Sequence, residues 1–563
     1  MPIENQADAA DRSLARLIPP QAVCVLVLLA FSLPGLFWMV PSVSDRMESY
    51  QPLQALKFFA SHGKEFHKYG PFPNFILAPF YGITLAVWHK LGTLRPPYGS
   101  FPYGFAHPVE QLSTLIVEGR LIFMILCLLS AWMLVKRLAR LTSSWLLLTV
   151  VSVALLACNY CYTVILASTR PDSLMMAFAT FFVAIYIDVV LDGVTVRRGV
   201  LLGLCAVAAV SSKELIYAMF VLPWAYLVLR AVYGRDARLR PGKPLVRWRA
   251  LVLGTTVAAY LLINVVYAPS IWLARMRFWL HGDGIDPAIW GDASAATLIR
   301  TGLLSALDNL GCGGAGLCAL GIVFLLIKRP AFSLALSLPA ISFLAFGLAR
   351  IHYTQVRYYM PFSIALLPVA VLGLEALRVW LGRTRLSLKW QRASFALLLL
   401  VCLIPNLILG TYCWYCLDGL REVAIYRHIL ASPRDQTYFV FNLYPQGQGS
   451  QALSERGYRF EDRPFQQILD SNTVWPGEIL ITQGEQGFIM DALRDSVAYP
   501  KRAEYLRKAG FTFAGFTGFE GLGYCRVATL VPSTPSWFPF NWMYGIAEIR
   551  WQETVYVYSH HCT

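Results

Sequence analysis

Seven short polar stretches interrupt an otherwise apolar chain, and each sets a carboxylate or a cation at the edge of an apolar run. The first holds Asp45, Glu48 and Tyr50, and the second Lys68 and Tyr69 ahead of Gly70-Pro71. Glu118-Gly119-Arg120, Arg170-Pro171-Asp172 and Lys213-Glu214 follow, then Arg275 with Arg277, and last His352 with Arg357 and Tyr358. A carboxylate at such a place can take the proton of an attacking hydroxyl. Lys and Arg hold phosphate by charge-assisted hydrogen bonds, the strong kind. Ordinary helix grammar explains each stretch taken singly. Asp45 and Glu48 stand at capping-box spacing. Pro171 and Asp172 suit the first turn of a helix. Lys213 and Glu214 read as a boundary ion pair with each other, and His352 to Tyr358 as an interfacial belt.

Metal and nucleotide signals are poor. Cys158-x-x-Cys161 and Cys413-x-x-Cys416 lie in or at the end of apolar runs with no second set at finger spacing, so they read as structural cysteines. His560-His561-Cys562 stands at the chain's last residues and reads as a frayed end. No Gly-rich phosphate loop of either common type is present, so a cytoplasmic nucleotide substrate finds no support. No cofactor is called, and a divalent metal has no motif behind it.

The elements that must carry these residues are membrane helices. The chain has 563 residues, 56% hydrophobic and 14% charged, with a mean hydropathy of +0.51. A soluble chain could not hide that much apolar surface. Runs of spanning or near-spanning length occur at 21–40, 112–135, 143–167, 173–191, 199–211, 215–233, 250–272, 303–327, 331–349, 358–377 and 394–412. The run 199–211 is the shortest. A further run, 74–91, is apolar enough to be a twelfth span, and loop charge decides against it. With 74–91 on the membrane surface, the loops after the even-numbered runs gather most of the Lys and Arg, from Lys136, Arg137 and Arg140 to Arg392. The opposite loops after the first keep few. That bias puts the Lys- and Arg-rich side in the cytoplasm. It also accounts for a net charge of +15 without nucleic acid. If 74–91 crossed, every later loop would flip. The N-terminus is then cytoplasmic and 41–110 is a long external loop with interfacial helices.

From Cys416 onward charge and Gly become frequent. Thr437–Asn442 and Glu478–Thr482 read as strands, and Ser450–Arg456 and Pro500–Ala509 as helices. The fold expected is a polytopic α-helical membrane protein of about eleven transmembrane helices over 1–415, followed by an external α/β domain over 416–563. Cys525 and Cys562 are candidates to pair there.

The order of these motifs resembles the GT-C superfamily of membrane glycosyltransferases, in the branch of protein O-mannosyltransferases and lipid A aminoarabinose transferases. Asp45 falls where that branch has an acidic pair after its first helix, and Tyr50 is similar to the Tyr that follows. Lys68-Tyr69-Gly70-Pro71 is similar to the basic residue before Pro-Pro-Leu and an interfacial helix. Arg120 resembles the Arg early in the second span, and Pro171-Asp172 the Pro-Asp opening the fourth. Ser212-Lys213 resembles a Thr-Lys before the sixth, and Arg357-Tyr358-Tyr359-Met360-Pro361 an Arg-Tyr-x-x-Pro before a late span. Two departures stand out: Arg46 replaces the second acid, and Gly70 the first proline.

The resemblance implies transfer of a sugar from a polyprenyl-phosphate carrier to a glycan, lipid or protein acceptor on the external face of the membrane, with inversion; size and the lack of organellar signals point to a bacterial inner membrane, so that face is periplasmic. Asp45 would be the general base, and Asp172 would orient the acceptor, the sugar or a basic neighbour. Lys68, Arg275, Arg277 and Arg357 would hold the lipid phosphate. Glu48, Tyr50, Tyr69, Arg120, Arg170, Lys213, His352 and Tyr358 complete the expected substrate-binding set. A transporter of a lipid-linked anion would instead bury its charges at mid-membrane in paired broken helices. A membrane scaffold would leave the one-sided clustering as coincidence.

Overall fold

The computed structural model describes residues 17–37, 54–56, 69–95, 104–159, 166, 168–233, 243–280, 295–328, 330–347, 359–384, 387–416, 421–434, 436–440, 457–461, 477–482, 486, 518–531 and 554–560. Helices stand at each of the eleven expected runs. They are α1 (Pro20–Ser32), α3 (Pro108–Leu138), α4 (Trp145–Ser152, extended by a π turn Val153–Ala157), α5 (Pro171–Asp192), α6 (Val196–Ser212), α7 (Tyr217–Tyr233), α8 (Lys243–Leu261), α10 (Ala295–Lys328), α11 (Pro330–Gly347), α12 (Met360–Leu381) and α13 (Leu388–Cys416). Among the described residues five helices are long and apolar enough to cross a membrane: α3, α5, α10 from Asn309 to Ile327, α12 and α13 from Leu388 to Thr411. The chain is a polytopic helical membrane protein.

Two expectations about spans need correction. The run 250–272 is not one rod. Helix α8 passes into a π turn, Leu262–Val266, and then bends by 94° into α9 (Pro269–Leu280). Pro269 at the start of α9 removes a backbone donor, and a new helix axis begins there. In the run 143–167 the helix that starts at Trp145 ends at Ala157, and Cys158 and Asn159 lie outside it. Hydropathy counts apolar residues and does not register the backbone's direction.

The expected surface helix is α2 (Phe72–Lys90). One face, Asn74, Leu77 and Tyr81, is buried, while Phe80, Ile83, Val87 and Leu91 are exposed on the other. The Tyr81 hydroxyl donates to the Leu115 carbonyl of α3 at 2.7 Å, and Thr84 donates to Glu118 Oε2 at 2.9 Å. Gly119 permits this approach: a Cβ there would sit 2.6 Å from both the Tyr81 hydroxyl and the Thr169 methyl.

Helices α3 and α5 pack parallel, Gly119 facing Thr169 near their starts, and their charged residues collect at two ends. At one end Arg140 bonds Asp188 at 2.6 Å and Asp192 at 2.6 Å, Arg198 bonds Asp192 at 2.6 Å, and Arg137 Nε stands 2.9 Å from Asp188. Glu375, bonded to Arg378 at 2.7 Å and to Thr142 at 2.7 Å, adds to charge near the same helix ends. Asp172 marks the other end of α5, sixteen residues before Asp188. At the α-helical rise of 1.5 Å per residue that is about 24 Å, close to the thickness of a hydrocarbon core.

Beyond α14 (Arg421–Ala431) a five-stranded sheet has the order β2-β1-β3-β5-β4, with β1 (Thr437–Val440), β2 (Arg459–Glu461), β3 (Glu478–Thr482), β4 (Cys525–Leu530) and β5 (Val555–Ser559). Strand β1 is parallel to β2 and β3, and β5 is antiparallel to β3 and β4. Ile425 and Ile429 of α14 share a core with Tyr438, Leu480, Val555 and Val557. Cys525 is disulfide-bonded. The expected helices Ser450–Arg456 and Pro500–Ala509 also lie outside them.

Candidate active site

The end of the bundle marked by Asp172 gathers four ionisable side chains. Asp172 sits in the first turn of α5, where Pro171 at the first helical position starts the helix and an acid complements its dipole. Lys213 is the extended C-cap of α6 (φ −153°, ψ 118°), so its side chain leaves the helix axis and reaches across to α5. Its Nζ lies 2.5 Å from Asp172 Oδ1, with side-chain exposures of 2% and 7%. Lys213 Nζ also lies 5.5 Å from the centre of the Tyr69 ring, a cation–π contact.

Glu214 opens the 3-10 turn Glu214–Ile216 that leads into α7. Its Oε1 lies 2.9 Å from Arg275 Nε, an ion pair without hydrogen-bond alignment. Both its carboxylate oxygens are sealed from solvent and neither accepts a hydrogen bond. Burial pushes this carboxyl up to about 7, against the lowering pull of Arg275 and Lys213. The expected pairing of Lys213 with Glu214 is therefore wrong: each finds its partner on another helix.

Arg275 is 2% exposed. One terminal nitrogen donates to Asn264 Oδ1 at 2.9 Å and the other to the Tyr69 carbonyl at 3.4 Å. Arg277, two residues on along α9, is exposed. Helix geometry accounts for the difference, since residues two apart point to different sides. Gly70 presses the turn after Tyr69 onto α6, where a Cβ would fall 1.9 Å from the Ser211 carbonyl oxygen. The end of the first loop thus reaches the Asp172–Lys213 pair.

Arg120 is fully buried and donates to the carbonyls of Gly35 and Leu36 at 3.1 and 3.0 Å. It holds the 3-10 turn that ends α1, a few residues before Asp45 in the chain. Arg170, the N-cap of α5, is 6% exposed. Asp45, Glu48, Tyr50, Lys68, His352, Arg357 and Tyr358 lie outside the described residues. Tyr359, 1% exposed, leads into α12 at Met360 as the motif order expected.

Among the described residues no group of three or more His, Cys, Asp and Glu could hold a metal ion. Sequence reasoning passed over Asn264, whose signal was that it is the one amide inside the apolar run 250–272. The arrangement as a whole pairs two buried cations with two carboxylates at one end of the bundle.

No family model matches the chain, and no curated protein matches its sequence. Among solved structures it is similar to ArnT from Cupriavidus metallidurans bound to undecaprenyl phosphate, at 12% identity and a TM-score of 0.46, over 97% of this chain and 98% of that one. It is also similar to the apo state of the same protein, at 12% identity and a TM-score of 0.44, over 83% of this chain and 94% of the other.

Proposed function

We propose that this protein is a membrane glycosyltransferase that moves a sugar from a polyprenyl-phosphate carrier to an acceptor on the external face of the membrane. The observation that carries this reading is the seating of the Tyr69-Gly70 turn against Lys213 and Arg275, beside Asp172. Lys68 is the residue before that turn in the sequence. A polyprenyl phosphate is a good leaving group because it is stable as an anion; it needs cations more than it needs an acid.

In this mechanism the acceptor hydroxyl attacks the anomeric carbon as the bond to the phosphate oxygen breaks, with inversion. Asp45 is the general base that takes the hydroxyl proton. Asp172 orients Lys213, and Lys68, Lys213 and Arg357 face the phosphate. The domain layout is 1–415 for the membrane part and 416–563 for an external α/β domain. The disulfide at Cys525 supports an oxidising, external location for it. The membrane is a bacterial inner membrane, with the N-terminus in the cytoplasm.

The test uses the purified protein in lipid nanodiscs with radiolabelled undecaprenyl phosphate. Saturable binding is expected, weakened about tenfold or more by Lys213→Met. Asp45→Asn should keep that binding and lower transfer from a polyprenyl-phosphate sugar by a factor of at least about 100, the usual reach of a general base. Absence of saturable binding by the unaltered protein would remove the reading.

A further inference from the structure

The apolar run 250–272 carries one amide, Asn264, and the helix widens into its π turn there. Such turns recur where side chains must leave the regular helical register. Asn264 uses both ends of its amide. Its nitrogen donates to Ser211 Oγ at 2.6 Å, and its oxygen accepts from Arg275 at 2.9 Å. Because Arg only donates, the orientation of the amide is fixed.

Arg275 is thereby braced on three sides: by Asn264 from the π turn, by Glu214 from the turn before α7, and by the Tyr69 carbonyl from the first loop. Its fork faces protein at every nitrogen. A residue that holds a phosphate needs a donor directed at the ligand, whereas Arg275 is 2% exposed, gives its two terminal nitrogens to Asn264 and Tyr69, and keeps Nε beside Glu214 without a hydrogen bond. What it does hold is the end of the first loop, where Gly70 lies against the Ser211 backbone.

We propose that Arg275 is a positioning residue: braced by Asn264 and Glu214 across the break between α8 and α9, it seats the Tyr69-Gly70 turn and acts on the reaction through the first loop, not as a ligand of the lipid phosphate. This rests on the glycosyltransferase reading for its effect on turnover, and on geometry alone for the seat. Small misplacements of a loop that carries reacting groups can cost turnover about a hundredfold while leaving binding in place.

The experiment compares Arg275→Lys and Asn264→Ala with the unaltered protein in nanodiscs. Arg275→Lys keeps the charge and loses the fork; Asn264→Ala keeps every charge and loses one brace, and guards against a misfolded first variant. In both, hydrogen exchange over residues 69–72 should accelerate about tenfold or more. Transfer should fall about tenfold or more, with the Kd for undecaprenyl phosphate within about threefold of the unaltered value. The acid limb of the pH–rate profile should show a group titrating near 7 in the unaltered protein, absent in Glu214→Gln, because a neutral Glu214 loosens its hold on Arg275. Unchanged exchange over residues 69–72 together with a tenfold weaker Kd in Arg275→Lys would overturn the proposal. Should the unaltered protein bind no polyprenyl phosphate, the glycosyltransferase reading falls while the exchange measurement still decides the seat.

Discussion

Lys213 Nζ and Asp172 Oδ1 meet at 2.5 Å between the end of α6 and the start of α5, both almost shut off from solvent. Removing one partner of such a pair strands a buried charge, which typically costs about 3–5 kcal/mol, whereas replacing both is often close to neutral. Asp172→Asn and Lys213→Met should each lower the thermal midpoint in nanodiscs. The double variant should recover most of that loss and still be unable to transfer sugar. A double variant that sums the two single losses would show that the pair does not stabilise the fold as a unit.

Glu214 gives a pH signature with a definite sign. Its carboxyl titrates near 7 in the folded protein and near 4.5 when unperturbed. The folded state therefore holds the proton that the unfolded chain releases first. Stability from this group is fully present below about 4.5 and is lost as pH rises through about 7. Relative to Glu214→Gln, which stays neutral, the unaltered protein should lose thermal midpoint between pH 5 and pH 8. Parallel curves over that interval would show that Glu214 is already ionised throughout.

Gly311 breaks α10 with φ 68° and ψ 160°, a region that only glycine occupies readily. Asn406 of α13 secures the break. Its amide donates to Ala154 and Leu310 carbonyls at 2.8 and 2.9 Å and accepts from the Gly314 amide at 3.1 Å. A Cβ on Gly311 would also meet Asn406 Oδ1 at 2.8 Å. Gly311→Ala should cost about 1–3 kcal/mol from backbone strain alone. Asn406→Leu removes three buried hydrogen bonds, at about 0.5–1.5 kcal/mol each. Chemical denaturation of each variant in detergent checks both figures, and Gly311→Ala at unaltered stability would disprove the strain.

Sidedness can be read with thiol labelling. A cysteine at Lys389, placed by the loop charges in the cytoplasm, should resist an impermeant reagent added to intact cells. A cysteine at Asn472, in the C-terminal domain, should react. The opposite pattern would reverse the orientation and put the Asp172–Lys213 end inside.

By itself the sequence determined where the helices are, because apolar content over some twenty residues is a local property. The distribution of Lys and Arg among short loops likewise sorted the helix ends into two groups, and the ion pairs of Arg137, Arg140 and Arg198 keep that sorting. Strands Thr437–Val440 and Glu478–Thr482 were legible from their β-branched and aromatic residues. Tertiary structure decided the partners. Lys213 and Glu214 are neighbours in the chain, yet consecutive residues at a helix end point in different directions, so one meets α5 and the other α9. The break at the end of α8 was hidden because apolarity does not register the direction of the backbone. Arg275 and Arg277 looked alike as cations at an apolar edge. Helical geometry at the break turned one into the protein, against Asn264 and the Tyr69 carbonyl, and left the other exposed.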